Sequence, residues 1–357
     1  MLLTHTDMDY LRIVAWCKDI PAAATQYISP SILSMLLDLG LITQNKALTC
    51  YRPTLKGLSL LSSAGFDYPQ DTRRHGMDAE FDRRLAMSEI LLFFYYTGAD
   101  VFLTSPTQYN SKLSYLPAFQ LRRKRESNVL GHSRFAGLLY SRHMTYVPYF
   151  ILPENNGIFL HAEEKTFKRE YLNNKQPVSV IYTGQPSLTK LVDLVCYTGQ
   201  PDKLEKSTSF VGAMKKFSPP VCFVPLSEDG ARQLRIICIP DYKNIIINAV
   251  LKYKYRPPEQ SWYDGETSEG IWVVLFDLNL RDIDRIIKQA NGKTVYVAVL
   301  DFQYEVVEKW LEGKNAYAQA FNTKAIETVL GLPHKLRTPN IKPFVTKEGG
   351  FINATDF

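Results

Sequence analysis

Three aspartates follow apolar, β-branched runs: Ile239-Pro240-Asp241, Leu275-Phe276-Asp277 and Val299-Leu300-Asp301. Carboxylates at the carboxyl ends of parallel strands are where an α/β sheet holds Mg²⁺ for phosphoryl chemistry, so Asp241, Asp277 and Asp301 form one candidate metal set. The same side chains serve equally well as caps of the helices that follow. A second set is Glu154, followed after a turn by Glu163-Glu164-Lys165. There Glu154 and Glu163 would bind a divalent cation while Lys165 positions or activates water, the skeleton of a Mg²⁺-dependent nuclease. Lys165, Lys168 and Arg169 fit the exposed end of a strand just as well. No phosphate-binding Gly-rich loop, Gly-x-Ser-x-Gly elbow or His-Glu-x-x-His helix is present, and the six histidines are scattered. The expectation is a protein without a cofactor, Mg²⁺ entering only if the nuclease alternative holds.

Binding chemistry has a clearer signal. Between Lys112 and His143 stand Lys112, Arg122, Arg123, Lys124, Arg125, Arg134 and Arg142, opposed only by Glu126. This segment alone carries a net charge equal to the +6 of the whole chain. Tyr109, Tyr115, Phe119, Phe135 and Tyr140 are interleaved with it. Basic and aromatic side chains in alternation suit phosphate contacts, and a solvated surface face is the alternative.

The elements that would position these groups follow from periodicity. Apolar residues at helical spacing predict a first helix from Thr6 to Asp19, and Pro21 to Ile28 reads as a short second one. Ser29 is placed to cap a helix with Pro30 at its first position, and Gly40 to close it. Two short strands around Gln44-Asn45-Lys46 then return to a helix capped by Thr54. That order predicts a winged helix over residues 1–66, with Ser31, Ser34, Gln44, Asn45, Lys46 and Arg52 as DNA-contacting candidates. A linker is expected at 67–77, and a larger α/β domain over 78–331 opening with a long helix from Asp78 to Tyr96.

In that domain Met144 to Phe150 and Gly157 to Ala162 read as a hairpin. Strands are expected at Val178–Tyr182, Val221–Val224, Leu234–Ile239, Ile271–Phe276 and Val295–Leu300. Helices are expected at Ser187–Cys196, Asn279–Gln289, Tyr304–Leu311 and Thr323–Leu330. Such alternation implies a partly parallel sheet. Residues 332–357, with three prolines, read as an extended tail.

At 357 residues and 45% hydrophobic content the chain can support two or three cores. Its five cysteines are odd in number and never spaced Cys-x-x-Cys, which argues for buried thiols in a reducing cytoplasm. No leader is expected from Met1 to Asp7, and the apolar run Ile90 to Tyr96 is too short to span a bilayer, so no membrane partner is expected.

Thr54-Leu55-Lys56-Gly57-Leu58-Ser59-Leu60-Leu61, Ser133 to Tyr140, Tyr146-Val147-Pro148-Tyr149 and Gly157 to Glu164 together resemble the replication-relaxation family of plasmid and conjugative-element proteins. The resemblance covers the first half of the chain. It implies a DNA-binding accessory protein for replication, relaxation or mobilisation of a mobile genetic element, with a degenerate restriction-endonuclease-like fold after the winged helix. A Glu-x-Asp strand end is common in that pattern, and Glu163-Glu164-Lys165 departs from it.

Three functions remain open: a non-enzymatic binder of double-stranded DNA, a nuclease, and a scaffold whose winged helix holds a relaxase, another protein or a second copy of the chain. The DNA reading has a local weakness. Pro30 to Gly40 contains no Lys or Arg, and Met1 to Gln70 balances five basic residues against five acidic ones.

Overall fold

The structure, a computed structural model, describes residues 1–68, 79–122, 135–151, 177–196, 220–252, 256–258 and 260–356. They form an α/β protein of two compact units, residues 1–98 with 337–357, and residues 99–336.

The first unit opens with α1 (His5–Cys17), whose capping box is reciprocal: Thr4 Oγ1 accepts from Asp7 N, and the Asp7 carboxylate accepts from Thr4 N. Then come β1 (Ile20–Pro21), a 3₁₀ turn (Ala22–Tyr27), α2 (Pro30–Asp38), β2 (Ile42–Asn45), β3 (Cys50–Pro53) and α3 (Leu55–Ser63). The antiparallel sheet has the order β1-β3-β2. Ser29 makes no side-chain cap to α2, its hydroxyl bonding Ser31 Oγ instead, whereas Thr54 caps α3 through Gly57 N as expected. Gly40 ends α2 at φ 66°, where only glycine is unstrained. A Cβ on Gly57 would lie 2.2 Å from Leu41 O, so α3 can approach the start of β2 only there.

Two expectations are corrected here. The long helix α4 (Ala79–Tyr96) belongs to the first unit, packing on α1, β1 and the 3₁₀ turn. Its residues Ile90 to Tyr95 are buried, and burying each such large apolar side chain contributes about 1.5–3 kcal/mol. Residues 337–357 likewise fold onto this unit instead of trailing away. Leu3 N donates to Ile352 O at 3.2 Å and Phe344 N to Leu3 O at 2.8 Å, so the two chain ends satisfy each other's backbone.

The second unit holds two sheets. One is β4 (Ser114–Pro117), β5 (Gly137–Tyr140), β6 (Thr145–Phe150), β7 (Val178–Thr183) and β8 (Val221–Phe223), in that order; β4 to β6 are antiparallel, and β7 and β8 continue parallel to β6. The helices along this stretch of chain are α5 (Ala118–Arg122), α6 (Leu188–Cys196), α7 (Glu228–Ile237) and α8 (Tyr242–Leu251). The other sheet has the order β12-β11-β10-β9, from β9 (Gly265–Thr267), β10 (Gly270–Val274), β11 (Val295–Leu300) and β12 (Ala316–Phe321). Between its parallel strands run α9 (Leu280–Gln289) and α10 (Tyr304–Leu311), with α11 (Thr323–Val329) following.

The sheets meet where Phe223 N donates to Asp277 O at 3.3 Å. Buried Gln233 seals the junction by donating to Phe223 O and Phe276 O, both at 2.8 Å. The hairpin actually described is β5–β6; the expected second arm, 157–162, lies outside the described residues. Among the described residues no helix is long and apolar enough to cross a membrane.

The expected strand at Leu234–Ile239 is also corrected, because residues 228–237 are helix α7. Ser227 caps it through Gly230 N, and every residue from Gly230 to Ile237 is buried. The helix ends in Leu234-Arg235-Ile236-Ile237, whose apolar–polar alternation and β-branched residues read like a strand.

Candidate functional site: a carboxylate-rich cavity

A cavity of about 420 Å³ in the second unit gathers polar side chains from elements far apart in sequence. The turn before β6 brings His143 and Met144, and β6 itself Tyr146. The first turn of α8 supplies Asp241, Tyr242, Lys243 and Asn244. Asp264 precedes β9, Asp277 follows β10, and Asn279 and Asp282 open α9.

Asp241 sits at φ 60°, makes no cap to α8 and accepts from Asn244 Nδ2. That turn leaves Lys243 half-buried, its Nζ 4.0 Å from Asp277 Oδ2. Burial works against the ammonium, but Asp277 and Asp264 outweigh it and the Lys243 pKa is raised. Asp264 is raised as well, because burial outweighs Lys243 and the Val274 N–H that Oδ2 accepts at 2.7 Å. Asp282 accepts from Asn279 Nδ2 at 2.6 Å and pairs with Arg281 and Arg285 at 3.6 and 3.3 Å. Burial pushes the Cys222 thiol up, leaving it un-ionised and a poor nucleophile at neutral pH, and lowers the pKa of His143. The cavity is therefore acidic, with one charged lysine. It can hold a cation or move a proton at a carboxyl, and it repels phosphate.

Of the three strand-end aspartates, Asp241 and Asp277 meet in this cavity, although Asp241 follows helix α7 rather than a strand. Asp301 does not line it: its carboxylate accepts from Thr323 Oγ1 at 2.5 Å and from Asn322 Nδ2 at 3.1 Å, tying down the start of α11. It does not cap the helix that follows it, which the capping alternative expects: α10 has no side-chain cap. Among the described residues no group of three or more His, Cys, Asp or Glu could hold a metal ion. Glu154, Glu163 and Lys165 lie outside the described residues.

The DNA-contacting candidates divide. Ser31 and Ser34 on α2, and Gln44 and Lys46 at the β2–β3 turn, are exposed. Asn45 closes that turn, its Oδ1 accepting from Leu48 N at 3.1 Å. Arg52 bonds through Nε to Asp19, which is 3% exposed and also pairs with Arg84 at 2.9 Å; the guanidinium is tied to the fold. In the second unit Lys112 and Arg142 are exposed in neighbouring turns, Arg142 Nε donating to Ser111 O at 3.3 Å. Arg122 is described as backbone only, in α5, and Arg123, Lys124, Arg125 and Arg134 lie outside the described residues.

Sequence reasoning missed Lys243, Asp264, Asn279 and Asp282. Each has a local excuse: Asp264-Gly265 is a turn signal, and an acid two residues into a helix suits its dipole. Only their convergence marks them. Comparison with protein-family models, with curated proteins and with solved structures gives no match for this chain.

Proposed function

We propose that the chain is a non-enzymatic accessory protein of a mobile genetic element that binds double-stranded DNA through a winged helix in its first unit. One observation carries this reading: a three-stranded sheet of order β1-β3-β2 with α2 on the outside, only Leu36 of that helix being buried. In this reading α2 is the recognition helix and the turn after β2 the wing, with Ser31, Ser34, Gln44 and Lys46 facing the duplex. The antiparallel β4-β5-β6 meander followed by parallel β7 and β8 suits the degenerate restriction-endonuclease-like fold that the resemblance implies. The mobile-element assignment rests on that resemblance.

A second reading, a protein-binding winged helix, is favoured by the surface of α2 itself. Ile32, Leu33, Met35 and Leu37 are half-buried there, no cation accompanies them, and Arg52 is held by Asp19.

Fluorescence anisotropy on duplex DNA across a salt series tests the first reading against the second. A DNA binder loses affinity steeply with salt, and Lys46→Glu, by freeing one phosphate, should flatten the slope by about one unit. An affinity that is weak and indifferent to salt rejects DNA binding in favour of the protein-binding reading.

A further inference from the structure

The acidic cavity has more acceptors than donors. Asp241, Asp264 and Asp277 face a single ammonium, and at 4.0 Å the Lys243–Asp277 pair is too long to be a hydrogen bond. A second observation is independent of the charges. Asn279 is 5% exposed, and its amide is oriented by Asp282, to which Nδ2 donates. That orientation leaves Asn279 Oδ1 buried with no donor. A carbonyl stripped of water and left unpaired is costly, and a donor supplied from the cavity relieves it.

The group that fits must bring positive charge and N–H donors. Phosphates are opposed by the field, and no metal-holding set is found among the described residues. Tyr146 and Tyr242 offer aromatic walls; the Tyr242 ring is itself stacked on Phe276 with centroids 6.3 Å apart. Such walls suit both an ammonium and the methylenes attached to it. The volume falls in the range of small-molecule sites, roughly 300–1,000 Å³.

We propose that this cavity binds a small aliphatic amine carrying two or more ammonium groups, with Asp241, Asp264 and Asp277 holding the charge and Asn279 Oδ1 accepting one N–H. Lys243 is then a tethered competitor for the same carboxylates. No residue of the first unit enters the site, so the proposal does not depend on the DNA reading.

Calorimetric titration of the full chain with spermidine, with butane-1,4-diamine and with an Nα-acetyl-lysine amide tests it. Spermidine should bind one to one with a Kd below about 1 mM. Asp277→Asn, which keeps the shape and can still accept from Asn279 N, should weaken binding about tenfold, and Lys243→Met should strengthen it severalfold. If Asp277→Asn does not fold, exposed Asp241→Asn replaces it with the same expected direction. Weaker binding of the lysine amide, which carries one ammonium, supports a site for two or more; a lysine amide that binds as tightly as spermidine overturns that requirement. No heat from any amine at several times that concentration, displacement by inorganic phosphate, or a Lys243→Met variant that binds less tightly overturns the proposal.

Discussion

Glu327 and the Lys243 cavity, both in the second unit, bring carboxylates and cations together in different proportions. Glu327 is 0% exposed; its Oε2 bonds Arg232 at 2.5 Å, while its Oε1 faces Arg235 at 3.8 Å, an ion pair without a hydrogen bond. Arg232 also binds Glu228 at 2.6 Å and the carbonyl of His334, and Arg235 the carbonyl of Lys335. The cluster ties α7 to α11 and the chain beyond it. In the cavity Asp277 stands 4.0 Å from the one lysine, beyond a hydrogen bond, and Asp241 and Asp264 line the same space. A buried charge must be matched to persist, so the charge-matched group acts as a rivet. The group with surplus carboxylates keeps capacity for a ligand.

The largest effect should come from unbalancing the charge-matched group. Glu327→Ala leaves two buried guanidiniums without their shared anion and should cost about 3–5 kcal/mol, read as a lowered urea midpoint. A loss below about 1 kcal/mol would mean the cluster is no rivet.

The cavity should answer with the opposite sign. The folded protein holds the Asp264 proton more tightly than the unfolded chain, so this contribution to stability is complete below the ordinary value of 3.8 and fades as pH rises through the raised folded-state value. Asp264→Asn cannot ionise. It should match the parent in acid and be the more stable of the two near neutrality, in thermal unfolding across that range. A variant less stable at every pH would show that Asp264 is paired as well as Glu327 is.

The smallest effect belongs to an exposed pair that neither group needs. Lys293 Nζ meets Glu266 Oε1 at 2.7 Å, with the Lys293 side chain 59% exposed. Lys293→Ala should change stability by no more than about 1 kcal/mol and should leave amine binding intact. A larger loss would remove the distinction between buried and exposed pairs.

Local pattern already specified much of this architecture. Tyr304–Leu311 is a helix with the bounds its periodicity predicts, and β10, β11, α9 and α11 lie where β-branched runs and capped amphipathic stretches place them. Thr54 and Gly40 act as their types suggest, because cap and left-handed turn are decided within a few residues. Strand β12 went unnoticed because Ala316-Tyr317-Ala318-Gln319-Ala320-Phe321 is mostly surface and carries little apolar signal. The β-branched run Ile236-Ile237-Cys238-Ile239 at its end disguised α7 as a strand.

Partnership was not legible. That α4 packs with α1, that residues 337–357 return to the amino terminus, and that Arg52 is spent on Asp19 all depend on contacts between distant segments. The carboxylates of the cavity illustrate the same limit. The residue types at Asp241 and Asp277 could be singled out from sequence, but not the company they keep. Whether an aspartate ties down the start of a distant helix, as Asp301 does, or lines a cavity beside Lys243 is decided by long-range packing, because the charge and hydrogen-bond balance of a buried group is the sum over all its neighbours.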